Sequence, residues 1–146
     1  MKLMRYSGKH EAARHARLGV LVGDDLVADV RAGYARYLVE SARNPKGQQI
    51  ADIYFPPYIV QFLHAGEAVW LALSDAYSYL GELAARAPDA TGLGDEDLFT
   101  PLAQCRLYAP LRPSKVICIA GNYGSGDALD ERRLSTPKAF IKTLSA

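Results

Sequence analysis

The chain has 146 residues, of which 49% are hydrophobic and 23% charged, a composition typical of a globular rather than a disordered protein. Lys and Arg total 17 against 16 Asp and Glu, so the net charge of +1 gives no overall positive field of the kind that attracts nucleic acid or anionic membranes. No apolar stretch reaches the roughly 18 residues that span a bilayer, and the polar start contains no signal-peptide core. We therefore expect a cytoplasmic protein with neither a nucleic-acid nor a membrane partner.

The N-terminal thirty residues predict a small sheet. Residues 3–6 form a short strand candidate, and the apolar runs 17–22 and 26–30 flank Gly23-Asp24-Asp25, which suits the turn of a hairpin. Strands of this length need further strands or a covering helix to be stable. We therefore expect this sheet to pack against the helices that follow it.

Three helices are predicted next, over residues 34–43, 58–64 and 67–86. The third has the clearest pattern, because its apolar residues recur in alternating fours and threes along one face: Val69, Leu73, Ala76, Leu80, Leu83 and Ala87. That face must be buried. Trp70 and Tyr77 flank it and are interpreted as packing residues rather than as part of a cofactor site.

Residues 87–97 are rich in Gly, Pro and acidic groups, a composition typical of a solvated linker. The consecutive Asp95, Glu96 and Asp97 cannot all point into one site, so a linker is a better interpretation than a metal cage. We place a domain boundary after it, which gives an N-terminal domain over 1–98 and a second domain over 99–146.

The second domain begins with a strand candidate at 102–108, followed by an unbroken apolar run at 116–120 that predicts a strand covered on both faces. A glycine-rich loop leaves this strand, and a second apolar run, 139–141, ends at Lys142. The loop matches neither of the two common phosphate-binding glycine patterns, GxGxxG and GxxxxGK[ST]. A nucleotide-binding domain is therefore the weakest of the functional hypotheses.

The two cysteines and three histidines give little support to metal or nucleophile chemistry. Cys105 and Cys118 have no zinc-module spacing and no neighbouring histidine, so we expect reduced, buried thiols. His10, His15 and His64 lack HxxxH or HExxH spacing and are interpreted as surface or helix-end residues.

The segments PLRPSKVICIAGNY (110–123) and TPKAFIKTLSA (136–146) together resemble the fumarylacetoacetate hydrolase family, in which one strand ends in Asn-Tyr and a second carries Phe-x-Lys. MKLMRY, RLGVLVGD and FLHAGEAVWLAL also look like the N-terminal part of bacterial members. The resemblance implies an α+β (mixed α/β) chain, in which a small domain of sheet and helices precedes the first strands of a β-rich catalytic roll.

Members of this family are implied to be hydrolases or lyases that act on carbon–carbon bonds of small oxo acids, with Mg²⁺ or Mn²⁺ polarising the substrate. By resemblance, Asn122 and Tyr123 correspond to substrate-binding residues. Lys142 corresponds to a catalytic lysine that holds the oxo-acid end, a role that suits its mobile point charge.

This sequence departs from the family pattern in two respects. Gly126 and Leu129 stand where the family has the histidine and glutamate that activate water, and a glycine cannot move a proton. An acidic residue could take over the role of the missing histidine only if the loop were remodelled. Three acids lie close to Gly126 in the sequence: Asp127, Asp130 and Glu131. The family's metal-binding Glu-x-Glu and later Asp lie downstream of the Phe-x-Lys strand.

We therefore expect a truncated N-terminal part with no metal site and no bound cofactor, inactive as an isolated chain. Its completed form would bind a small oxo acid. The alternative is a non-catalytic interaction module that pairs with a full-length family member, or forms a homo- or hetero-oligomer, through its unpaired strand edge.

Overall fold

The computed structural model describes residues 1–111, 113–120 and 138–142, which belong to two compact units, Met1–Leu111 and Arg112–Ala146. The described residues form four α-helices, which follow one another between the third and fourth strands, and two antiparallel sheets, which confirms the predicted α+β fold class. Both units contain a sheet of their own.

The first unit is built on a five-stranded antiparallel sheet in the order β4-β3-β2-β1-β5. Its strands are β1 (Leu3–Gly8), β2 (Arg17–Val22), β3 (Leu26–Asp29), β4 (Phe99–Pro101) and β5 (Cys105–Tyr108). The predicted β2-β3 hairpin is present. Its turn contains Gly23 at φ 63°, a left-handed conformation in which a side chain would be strained.

The structure divides the chain later than the sequence suggested. The boundary expected before Phe99 falls inside the five-stranded sheet, because Phe99 lies opposite Ala28 and Leu107 lies opposite Tyr6. The acidic stretch 87–97 looked like an interdomain linker from its composition. It is instead a connection within the first unit, which returns the chain to the edge of the sheet and is followed by the fully buried Leu98.

Four helices cover this sheet: α1 (Val30–Glu40), α2 (Gly47–Tyr54), α3 (Ile59–His64) and α4 (Glu67–Arg86). Helix α1 begins at Val30 because the Asp29 carboxylate accepts a hydrogen bond from the Ala32 N–H at 3.0 Å. Helix α2 was not predicted, since its polar first turn follows Asn44-Pro45. Among the described residues, none of the helices is long and apolar enough to cross a membrane.

The core lies between the sheet and helices α1 and α4. The face predicted for α4 is buried. Leu73 and Leu80 are fully inaccessible, and Ala87, just after the helix, is partly buried against the same core. Tyr77 packs against the same core, and Trp70 contacts the Phe62 ring edge-on at a centroid distance of 4.9 Å. The packing role expected for Tyr77 is thus confirmed, whereas Trp70 packs on Phe62 and is otherwise 42% exposed.

The second unit contains an antiparallel pair, β6 (Val116–Ala120) and β7 (Lys138–Lys142). The expectation that β6 is covered on both faces is wrong for this chain, because Ile117 and Ile119 are 67% and 59% exposed. Cys118, which points to the other face, is half-buried rather than buried. The apolar run thus predicts the strand correctly, but it does not predict how far the two faces of the strand are buried.

Close packing of α1 against α4 can be tested with a matched pair of glycine substitutions. A Cβ at Gly33 of α1 would lie 2.6 Å from the Leu80 side chain, whereas a Cβ at Gly81 of α4 would meet open space. We expect Gly33→Ala to lower the free energy of unfolding by about 1–3 kcal/mol, and Gly81→Ala to raise it by about 0.5–1 kcal/mol. Urea unfolding measures both. Equal effects of the two substitutions would contradict the described α1–α4 contact.

A hydrogen bond between the ends of the same helices gives a prediction for alkaline pH. The Tyr79 hydroxyl donates to Glu40 Oε2 at 2.6 Å, and burial together with this carboxylate raises the pKa of Tyr79 from 10.0 to about 12. The neutral phenol is therefore favoured in the folded state, and its contribution is present below pH 10 and lost as pH rises towards 12.

We expect Tyr79→Phe to destabilise the chain by roughly 1–3 kcal/mol at neutral pH. The difference from the unsubstituted chain should shrink above pH 10, where the unfolded tyrosine ionises. Denaturant unfolding between pH 7 and 11 measures this. A difference that stays constant across that range would show that the hydrogen bond does not hold the phenol neutral.

Candidate functional site

The residues predicted to carry chemistry lie in the second unit, and the structure describes one of them. Lys142 ends β7 opposite Val116 and is exposed. The substrate-binding candidates Asn122 and Tyr123 lie outside the described residues. The same holds for the positions of the missing dyad and its possible replacements: Gly126, Asp127, Leu129, Asp130 and Glu131.

The register of the β6–β7 pair limits how these groups could combine. Ala120, the last described residue before Asn122, lies opposite Lys138. Lys142 lies four residues further along β7, which is about 13 Å at the usual rise of a strand. Strand pairing alone therefore does not bring Lys142 to the end of β6 from which the chain continues towards Tyr123.

Potential metal ligands and nucleophiles are dispersed in the described ranges. Across 1–111, 113–120 and 138–142, no three His, Cys, Asp or Glu side chains group in a way that could hold a metal ion. All three histidines are exposed, as expected. Cys105 is buried, and this burial raises the pKa of its thiol, so its sulfur remains a protonated packing group at neutral pH.

The densest cluster of charged groups in the first unit surrounds Arg17, and we call it the Arg17 cluster: Tyr6, Glu11, Arg17 and Asp29. Arg17 donates from Nη1 to Glu11 Oε2 at 2.7 Å and from Nε to the Tyr6 hydroxyl at 3.3 Å, and its Nε lies 2.9 Å from Asp29 Oδ2 in an ion pair. Its guanidinium carbon also lies 4.9 Å from the centroid of the Tyr6 ring, within the range of a cation–π contact. One side chain thus contacts three others.

The sheet itself brings this cluster together. Tyr6 on β1 lies directly opposite Arg17 on β2, so the two side chains share one face of the sheet. Gly19 leaves room for the Tyr6 ring, since a Cβ there would lie 2.6 Å from the ring carbon Cε1. Burial raises the pKa of Tyr6 well above its usual value, so its hydroxyl stays protonated next to the arginine.

Asp29 is the buried acid of the cluster, with a side chain only 5% exposed. Its Oδ1 caps α1 through Ala32, while its Oδ2 forms an ion pair with Arg17. Burial nevertheless raises the pKa of Asp29, because desolvation outweighs the hydrogen bond from Ala32 and the charge of Arg17. The ionised Asp29 carboxylate is therefore stabilised by Ala32 and Arg17, which together offset part of the free-energy cost of its burial.

Glu11 closes the cluster on the solvent side. Its Oε2 accepts both from Arg17 and from the Gly8 N–H, the latter at 2.6 Å. Although partial burial acts in the opposite direction, these hydrogen bonds lower the pKa of Glu11 below its usual value. Glu11 thereby ties the connection between β1 and β2 to the sheet.

An open cleft of about 250 Å³ borders the Arg17 cluster, with a basic lining that includes Arg14, His15, Arg17 and Arg31. Two of the three arginines in this lining are paired with acids. Arg17 is bound to two acids, and Arg31 lies 3.4 Å from Asp52, so their charges are largely compensated, while Arg14 donates from Nε to His15 Nε2 at 3.2 Å. A structural role therefore accounts for the described contacts better than a catalytic one.

Sequence reasoning missed the Arg17 cluster because its members are separated by loops and by strand crossings. One local pattern could have indicated part of it: Asp29 stands between an apolar strand and a helix, at the position preferred by a capping acid. The partner of its second oxygen could not be read from the sequence, because that depends on the register of β2 with β3.

The Arg17–Asp29 pair can be tested by a double-mutant cycle. Arg17→Met leaves a buried carboxylate without its cation and should cost roughly 3 kcal/mol. Asp29→Asn retains an oxygen to cap α1, so the double variant should be more stable than the sum of the single effects predicts.

The pH dependence of Arg17→Met gives a second readout. Because burial already raises the pKa of Asp29, loss of the cation should raise it further, and protonation at lower pH should relieve the cost. We expect the deficit of Arg17→Met to shrink as the pH falls, whereas exposed Arg14→Met should be nearly neutral throughout. Additive single effects in the cycle would show that the pair is not coupled.

Comparison with family models, curated proteins and solved structures found no match to this chain. Its function is therefore argued from its own residues. The described geometry gives a structural cluster in the first unit and an apolar strand pair, with one of the predicted site residues, in the second.

Proposed function

We propose that this chain is the N-terminal part of a fumarylacetoacetate hydrolase family protein, a cytoplasmic, metal-dependent hydrolase or lyase acting on carbon–carbon bonds of small oxo acids. The first unit would be its N-terminal domain, and β6 and β7 would be the opening strands of its catalytic sheet. As an isolated chain it would be inactive. The proposal rests on the Asn-Tyr and Phe-x-Lys resemblance together with the geometry of the strand pair.

The observation that carries the proposal is the apolar character of both faces of the β6–β7 pair. Ile117, Ile119 and Ile141 share one face and are each more than half exposed, while Phe140 lies opposite Cys118 on the other face. A two-stranded pair is marginally stable in water by itself. Strands with two apolar faces are typical of the interior of a larger, covered sheet, which supports their assignment to a catalytic roll.

In this proposal, the Lys142 ammonium would hold the carboxylate of the oxo acid, and the side chains of Asn122 and Tyr123 would contact the substrate by hydrogen bonds. The Mg²⁺ or Mn²⁺ implied by the resemblance finds no suitable set of ligands within the described ranges. We therefore assign no step to the metal. Its carboxylate ligands would have to lie outside this chain or outside its described residues.

The same strand pair also supports a second function, a non-catalytic module that adds its strands to the sheet of a full-length family member. Among the described residues, β6 pairs only with β7, so each strand has one edge without a neighbouring strand. An edge of this kind is suited to strand addition. Co-purification of the chain with a full-length member, without any gain in turnover, would favour this function over the first.

The catalytic proposal can be tested with a chimera in which this chain is continued, after β7, by the catalytic part of a full-length family enzyme. With Gly126→His and Leu129→Glu introduced to restore the family's water-activating pair, we expect the chimera to cleave a small diketo acid in a Mg²⁺-dependent reaction. The chain alone should show neither turnover nor saturable binding of Mg²⁺ by calorimetry. Lys142→Met should lower kcat/KM of the chimera by roughly 10- to 100-fold, the loss expected for one charged hydrogen bond.

Lys138→Met is the matched control, because Lys138 lies at the opposite end of the same strand. It should leave kcat/KM nearly unchanged. A chimera that folds but has no activity, or saturable micromolar Mg²⁺ binding by the chain alone, would contradict the proposal.

A further inference from the structure

Helices α1 and α4 line an open cleft of about 220 Å³ in the first unit. Helix α4 contributes four residues at spacings of three and four positions, which share one face of a helix. Helix α1 and the residue that follows it contribute two more. The lining is polar or aromatic throughout: Tyr37, Ser41, Asp75, Ser78, Tyr79 and Glu82. Because all six residues border the same cleft, their side chains can act on one ligand.

This cleft carries uncompensated negative charge. Its lining includes the exposed carboxylates of Asp75 and Glu82, and it includes no Lys, Arg or His. Among the described residues, neither carboxylate takes part in an ion pair, whereas both acids beside Arg17 do. Two carboxylates without cations favour a positively charged ligand, above all one that carries two charges.

The spacing of the two acids along α4 distinguishes the kind of cation. They are seven positions apart, which corresponds to about 10 Å of helix. A single metal ion holds its carboxylate oxygens within roughly 2–2.6 Å, and the described residues contain no group suited to one. A short aliphatic diamine matches this spacing. Two ammonium groups joined by four methylenes, with a hydrogen bond to a carboxylate at each end, span roughly 12 Å.

Tyrosine rings border the cleft between these two acids. Tyr79 stands between them on α4, and its ring centroid lies 5.8 Å from that of Tyr37 on α1. The Tyr79 hydroxyl donates to Glu40 at 2.6 Å, which fixes the position of the ring. Aromatic rings suit the apolar methylenes of an aliphatic diamine, and an ammonium group near a ring face gains a cation–π contact.

A largely buried hydroxyl next to the cleft also lacks a partner within the described residues. Tyr34 is only 6% exposed, and its ring stacks on that of Tyr37 at a centroid distance of 5.8 Å. Its hydroxyl forms no hydrogen bond there, although it is not sealed from solvent. Burial raises the pKa of Tyr34, with smaller effects from Tyr54 and Asp75. The hydroxyl therefore lies near the Asp75 end of the cleft, where a ligand can supply the missing hydrogen bond.

We propose that the cleft between α1 and α4 binds a short aliphatic diamine in its doubly protonated form. One ammonium group donates to Asp75 and to the hydroxyl oxygen of Tyr34, and the other donates to Glu82. The methylenes between them lie along Tyr37 and Tyr79. Aliphatic amines resemble the lysine side chain, with a pKa of about 10.4, and are protonated at neutral pH. This inference concerns the first unit alone and does not depend on the proposed catalytic function.

The proposal can be tested with 1,4-diaminobutane, titrated at neutral pH and constant ionic strength while the backbone amide signals are followed by NMR. We expect saturable shifts at Ser41 and Ser78, which border the cleft. Butylamine has the same carbon chain and only one charge. It should bind roughly fivefold more weakly, the effect of one exposed ion pair.

Asp75→Asn and Glu82→Gln each remove one charge and keep the size of the side chain. Either substitution should weaken binding of 1,4-diaminobutane roughly fivefold and abolish its advantage over butylamine. Both residues are exposed, so thermal stability should be nearly unchanged. Glu67→Gln is the matched control, because Glu67 is an exposed acid of the same helix that does not line the cleft. It should leave both affinities unchanged.

Three results would overturn the proposal. Absence of saturable shifts beside the cleft would show that it does not hold a diamine. Equal affinities of the unsubstituted chain for 1,4-diaminobutane and butylamine would show that the two acids do not act on one ligand. A loss of affinity in Glu67→Gln as large as that in Asp75→Asn would show that the amine responds to the general negative charge of α4 and not to the cleft.

Discussion

The ion pair between Arg17 and the buried Asp29 is the interaction on which the first unit depends. Asp29 stands where β3 ends and α1 begins, and its two oxygens join the helix to the sheet through Ala32 and Arg17. Glu11 extends the connection to the loop after β1. A buried pair of this kind need not be more stable than apolar residues of the same volume, but the loss of one member leaves an unpaired charge. The cluster therefore fixes the position of α1 on the sheet and contributes less to the net free energy of folding.

Sequence periodicity predicted the parts of this fold that depend on local pattern. The β2–β3 hairpin and the buried face of α4 follow from the alternation and the helical spacing of apolar residues. Predictions failed where distant pairing decides the outcome. The edge strands β4 and β5 join β3 and β1 across more than seventy residues, so composition alone suggested a linker and a domain boundary before Phe99. The Arg17 cluster was missed for another reason: its members lie within residues 6–29, but their contacts depend on the register of β2 with β1 and β3.

The two units differ in how far they bury their apolar residues. In the first, the sheet and helices α1 and α4 enclose a core whose largest side chains are fully buried, and exposed apolar groups concentrate in the stretch 53–71. In the second, the described strands bury little of their apolar surface. This contrast explains why the apolar patterns predict burial well in the first unit but not in the second. An apolar run indicates that both faces of a strand are suited to burial. It does not indicate whether the residues that bury them belong to the same chain.

The register of β6 with β7 constrains any catalytic use of Lys142. Val116 lies opposite Lys142, whereas Ala120, which leads into Asn122 and Tyr123, lies opposite Lys138. The separation of about 13 Å along the strand is longer than a lysine side chain, so Lys142 could share a substrate with a residue beyond β6 only if the two side chains and the substrate together spanned it. Strand pairing alone thus does not assign Lys142 and Tyr123 to one site. The effect of Lys142→Met on the chimera decides whether the lysine belongs to the substrate site.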